Sequence, residues 1–117
     1  MNVNWVEYKG KKILYSDFKG LNSSEMLNQL RYETDLICQE NREILYLADF
    51  TDTTISVEFM KAGNSAGQKT KKFVKRSAII GVTGLKPMLL NTFNKVTGIE
   101  ARAFHDIVKA KEYLFQA

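Results

Sequence analysis

Ile44 to Phe50, read ILYLADF, carries a single charge, on Asp49, and is otherwise apolar. A run of that length with almost no polar alternation is a strand that must be covered on both faces. A second such run, SAIIGV, lies at Ser77 to Val82. Between them Phe59, Ala62, Gly63, Ala66, Thr70, Phe73 and Val74 recur at three and four residues, the spacing of one helical face. Two doubly covered strands joined by a helix lie parallel in one sheet, with a right-handed crossover between them. The small residues in that helix predict close approach to a neighbouring helix.

The flanking segments extend the pattern. Val3 to Tyr8 and Lys12 to Phe18 are rich in β-branched and aromatic residues and are separated by Lys9-Gly10, which suits a tight hairpin. Asn22 with Glu25 three residues later reads as a capping box, and Leu21 with Met26 as its staple. Leu27, Leu30, Thr34, Ile37 and Cys38 then form an apolar stripe, and Asn41 suits the left-handed turn that ends the helix. Pro87 and Gly98 bracket a third helix carrying Leu89, Leu90, Phe93 and Val96. Ile99 to Phe104 alternates like an edge strand, and Asp106 caps a last helix lined by Ile107, Ala110, Tyr113 and Leu114. The expected class is α/β, in the order ββαβαβαβα. It has a mostly parallel sheet, an antiparallel N-terminal hairpin and helices packed on it.

At 117 residues the chain is one domain, 1–117, without repeats or linkers, and it buries about 65% of its unfolded surface. The single cysteine, Cys38, has no disulfide partner, and its place in the stripe predicts a buried thiol in a reducing compartment. The N-terminus lacks the basic start and apolar run of a secretory signal, and no stretch of 18 apolar residues exists. The expectation is a cytoplasmic protein with no transmembrane segment. Net charge is +4, from 17 basic and 13 acidic residues. Five positive charges fall in Lys69 to Arg76, where cations complement a helix C-terminus. No aromatic residues interleave with them as in a single-strand binding platform, which argues against nucleic acid.

The candidate site is the corner after the first buried strand, Asp49-Phe50-Thr51-Asp52-Thr53-Thr54-Ile55-Ser56. Strand ends of this kind gather main-chain N–H groups beside the positive end of a helix dipole. Asp49 and Asp52 lie at the carboxyl end of a central strand, where open α/β sheets keep their sites, although loop aspartates also make ordinary Asx turns. Thr53, Thr54 and Ser56 are candidate phosphorylation or docking hydroxyls, with Ser56 or Thr54 equally suited to plain helix capping. The corresponding corner Gly81-Val82-Thr83-Gly84-Leu85-Lys86 offers a weak anion-binding rim at Thr83, Gly84 and Lys86. It is no Walker loop, because two residues rather than four separate its glycines and a proline follows the lysine. No nucleophile and base, paired carboxylates at one site, or Cys and His set of metal-ligand spacing is legible, so no enzyme, metal or cofactor is expected. His105, the only histidine, reads as a surface residue beside the capping Asp106.

Several phrases resemble the STAS family, the anti-sigma-factor-antagonist domain, in a bacterial branch related to the CRAL-TRIO lipid-binding fold. They are DFKGL at Asp17 to Leu21, LADFTDT at Leu47 to Thr53, KRSAIIGVTGLKPMLLNTFNKVTG at Lys75 to Gly98, and FHD from Phe104. The resemblance spans nearly the whole chain and implies a STAS-like fold that binds proteins or a small ligand without chemistry of its own. Family members that antagonise anti-sigma factors carry a phosphorylatable serine in a Ser-Ser-Gly setting. This chain has Thr51-Asp52-Thr53-Thr54-Ile55-Ser56 there instead.

Two functions follow as expectations. The first is a regulatory module that docks a protein partner through Asp49 to Ser56. The alternative is a carrier of a small apolar or anionic ligand, a lipid or nucleotide, that uses the same rim of the sheet, a reading motivated by the aromatic residues Phe59, Phe73 and Phe93 on neighbouring helices. An uncovered antiparallel edge strand also offers the hydrogen-bonding groups for a homodimer.

Overall fold

Why the strands fall in sequence order is explained by the handedness of the connections. In the computed structural model, which describes residues 1–117, a five-stranded sheet runs β1-β2-β3-β4-β5. The strands are β1 (Val3–Tyr8), β2 (Lys11–Asp17), β3 (Ile44–Asp49), β4 (Val74–Ile80) and β5 (Arg102–Phe104). The helices are α1 (Ser23–Glu40), α2 (Val57–Thr70), α3 (Lys86–Thr97) and α4 (Ile107–Phe115). The β1–β2 pair is antiparallel and the other three pairs are parallel. Each crossover advances one strand in the same direction, so right-handed connections place α1, α2 and α3 side by side on one face. α4 follows the last strand and packs on the opposite face, against β3, β4 and β5. The order ββαβαβαβα, the mixed sheet and the hairpin are as the sequence predicts.

Two layers of core result. Beneath α1 to α3, Phe18, Met26, Ala48, Phe59 and Ile79 pack together, with Phe18 stacked on Phe50 at 4.6 Å between ring centroids. Beneath α4, Ile13, Leu47, Ala78, Ala110 and Leu114 fill the other face. The alternation along β3 and β4 divides these sets, as period-two geometry requires. The hairpin is tied to the far end of α4: Lys11 Nζ donates to the carbonyls of Phe115 and Ala117 at 2.8 and 2.7 Å. Tyr8 and Lys9 both bond Glu112. Trp5 is half-buried over Val3, Leu14 and Ile37, with the Arg42 guanidinium 5.0 Å above its ring.

Local signals set most boundaries. The Asn22–Glu25 capping box forms in both directions, Asn41 closes α1 at φ 51°, and Gly98 closes α3 at φ 78°. Other expectations need correction. Cys38 is exposed, not buried, because the true stripe of α1 runs through Met26, Leu30, Glu33 and Ile37 and leaves Cys38 one step off it. Val96 and Ile107, expected on apolar faces, are exposed as well. The second helix ends at Thr70, and β4 starts at Val74, because Val74 to Ser77 pair with Ile44 to Tyr46. Two of the five charges of the basic run, on Lys75 and Arg76, therefore lie in a strand, and Arg76 lies on the Tyr113 ring with its Nη1 bonded to the Tyr113 carbonyl. The last strand starts late because the Asn94 side chain bonds both main-chain groups of Ala101.

Candidate functional site

The two strand-to-helix corners meet. At Gly81, φ is +82° and a Cβ would lie 2.3 Å from the Thr51 nitrogen, so only glycine lets the second corner reach the first. Lys86 Nζ completes the junction, donating to the carbonyls of Phe50 at 2.9 Å and Gly81 at 3.4 Å. Its ammonium is directed at main-chain oxygens, while Thr83 and Gly84 are exposed. On the first corner, Asp49 is buried and accepts the Thr51 N–H at 2.9 Å, an Asx turn. Asp52 is exposed with φ 55°. Thr53 donates to the Phe50 carbonyl at 2.6 Å, Ser56 caps α2 by accepting the Phe59 N–H at 3.0 Å, and Thr54 is exposed. The capping role thus falls to Ser56 rather than Thr54.

Open α/β sheets bind ligands where the strand order reverses and neighbouring loops part. Here the order never reverses from β2 to β5, and the corners abut where Gly81 meets Thr51. Asp17 and Asp49 are nearest neighbours in the β2–β3 register. Burial first, then these two carboxylates, pushes the Tyr15 hydroxyl above its usual range. Each of the two aspartates is engaged with a main-chain N–H two residues on. No group of three or more His, Cys, Asp or Glu residues lies close enough to hold a metal ion, and His105 is exposed.

A mainly apolar cavity lies between the sheet and the layer of α1, α2 and α3, with a volume of about 140 Å³. Small residues on the middle helix create it. Gly63, Ala66 and Gly67 of α2 all face it, and at Gly63 a Cβ would meet nothing within 4 Å. Gly67 plays the other part: a Cβ there would lie 2.6 Å from Thr97 and 2.9 Å from Phe93, so its absence lets α3 close against α2. Phe18, Phe59 and Phe93 supply aromatic wall, and Ile79, Leu89 and Leu90 aliphatic wall. Phe50 and Ile55 of the first corner also reach it, which couples the exposed rim to the interior.

One part of the wall is polar. Glu33 of α1 is 5% exposed and accepts the Ser16 hydroxyl at 2.6 Å. Gln29 Nε2 in turn donates to Ser16 Oγ at 3.1 Å and to the Asp17 carbonyl at 2.9 Å, which fixes the serine proton toward the carboxyl. Tyr46 stands beside Glu33 and also lines the cavity. Burial pushes the Glu33 carboxyl up to about 7, against which the Ser16 and Tyr46 hydroxyls act weakly. Burial and the adjacent Glu33 push the Tyr46 hydroxyl well above its usual range, so it stays a neutral donor. The sequence reading missed Glu33. Its signal was a glutamate three residues after Leu30 and four before Ile37, on the stripe itself, where Thr34 was counted instead.

No protein-family model, no curated protein and no solved structure matches the chain. No helix is long and apolar enough to cross a membrane.

Proposed function

We propose that this protein is a non-catalytic module that binds a small, mainly apolar molecule between its sheet and its three-helix layer. The observation that carries the reading is the cavity of about 140 Å³, lined mostly by hydrophobic side chains with one buried polar cluster. Ligand sites have this composition, and an apolar cavity of about 150 Å³ is known to be large enough for benzene. Space left unfilled by side chains also has a stability cost that close packing would avoid. Retaining glycine at Gly63, where a methyl group has room, is accounted for if the space is used.

The test is an NMR titration with ethylbenzene. The reading predicts saturable shifts at Phe18, Gly63, Ile79 and Phe93, and their loss in Gly63→Leu, whose side chain occupies the space. Shifts scattered over the surface, or none at saturation, would overturn it.

A second reading, protein docking through Asp49 to Ser56 in the manner of the STAS resemblance, is favoured by the exposure of Asp52 and Thr54 on a corner whose Phe50 and Ile55 touch the cavity. Such a module would report occupancy to a partner, and a phosphate on Thr54 would add nearly two negative charges to that corner. Intact-mass analysis of the protein from its native cells should then show a phosphoryl group on the peptide carrying Thr53, Thr54 and Ser56. Complete absence of that species under all growth conditions counts against the switch.

A further inference from the structure

Glu33 is a buried acid without a cation. The ion pairs of the molecule are Lys9–Glu112 and Arg42–Glu40, both at the surface. The one basic residue in the cavity wall, Lys86, is bonded to the Phe50 and Gly81 carbonyls. A carboxylate offers about four lone-pair sites, of which the Ser16 hydroxyl takes one, and the Tyr46 hydroxyl stands beside it. The other hydroxyls in the wall are differently disposed. Thr34 and Thr70 donate to the carbonyls of Leu30 and Ala66 in their own helices, and Ser77 is a neutral hydroxyl of β4. Glu33 is therefore the one acidic group in the cavity wall, and it keeps acceptor capacity beyond the Ser16 bond.

Provided that the cavity is a binding site, as proposed above, we infer that its occupant is a small amphipathic amine. Its protonated nitrogen pairs with the Glu33 carboxylate, and its apolar body lies against Phe18, Phe59, Phe93 and Ile79. Burying a lone carboxylate is costly, and an ammonium brought by the ligand offsets that cost where no side chain does. An anionic ligand would meet the carboxylate with like charge. A wholly apolar one would leave its lone pairs unused. The volume admits a body of about one aromatic ring.

Protonation is linked to this binding. Ser16 of β2 bonds Glu33, Tyr46 of β3 stands beside it, and Gln29 of its own helix bonds Ser16; the cavity wall also holds the hydroxyls of Ser77 on β4 and Thr70 on α2 and, from α3, Lys86. The Tyr46 hydroxyl is pushed well above its usual range, whereas the Glu33 carboxyl, pushed up to about 7, changes charge near neutrality. An ammonium beside it favours the ionised form, so amine affinity rises with pH up to about 7 and then levels.

Calorimetry with four probes of one size tests the inference: 2-phenylethylamine, 2-phenylethanol, ethylbenzene and phenylacetate, against the wild type, Glu33→Gln and Gly63→Leu. The amine should bind most tightly and phenylacetate not measurably. Glu33→Gln should weaken the amine more than about tenfold while changing ethylbenzene less than about twofold. The wild-type amine affinity should climb more than about tenfold between about pH 5 and pH 7, with ethylbenzene unmoved, which keeps the test independent of the variant's folding. If the amine binds no more tightly than the alcohol, or is indifferent to pH, the amine assignment is wrong and the cavity reading stands. If neither ethylbenzene nor the amine binds the wild type, the cavity reading itself fails.

Discussion

A carboxyl group held under a hydrophobic layer makes the whole protein sensitive to pH. Glu33 has an ordinary value of 4.5 in the unfolded chain and about 7 in the fold, so the native state holds the extra proton between these values. Stability contributed by that proton is fully present below about 4.5 and is lost as the pH rises through about 7. At about 1.4 kcal/mol per pH unit the loss is on the order of 3 kcal/mol for so deeply buried a group. Urea unfolding across this range should show the wild type weakening and Glu33→Gln holding nearly flat. A wild type whose stability is level from about pH 4.5 to 7 would mean that Glu33 is solvated. Asp49, Ser56 and Thr53 each hold one local main-chain bond, which is what their position in a strand-to-helix corner calls for.

At the scale of the element, α2 carries two glycines four residues apart with opposite duties. Gly63 looks onto open space, and Gly67 is pressed by Phe93 and Thr97. Gly63→Ala should raise stability by about 0.5 to 1 kcal/mol, since alanine favours the helix and has room. Gly67→Ala should lower it by about 1 to 3 kcal/mol, because buried neighbours must move. Paired thermal melts check the difference in sign, and equal effects would show that the α2–α3 spacing is not set as described. The apolar stripe of α2 was legible from periodicity, as were its cap and those of α1 and α3. Which glycine faces open space was not, because Phe93 and Thr97, the neighbours that press on Gly67, come from another element. The slip from Glu33 to Thr34 in α1 has the same origin. A stripe inferred by polarity passes over a charged residue whose partners, Ser16 and Tyr46, come from other elements.

For the whole molecule, the direction of winding decides where a site forms. A sheet laid down one strand at a time in a single direction puts three helices on one face and closes the corners at the strand ends against each other. The crossover logic was readable from two apolar runs and the helical spacing between them. That logic also drew attention to the corners, since strand ends are the usual place for a site in sheets that reverse. Here the corners are joined through Gly81 and Lys86, and the space lies beneath the helices, where Gly63, Phe59 and Phe93 surround it. The edges at β1 and β5 remain available for pairing with another chain, with β5 only three residues long.

The most direct measurement of the central claim is a crystal structure under xenon pressure. The account predicts an ordered xenon atom between Phe18, Phe59, Phe93 and Ile79, with those side chains unmoved. A core without xenon, in which Phe93 or Leu90 has swung in to fill the space beside Gly63, would contradict it.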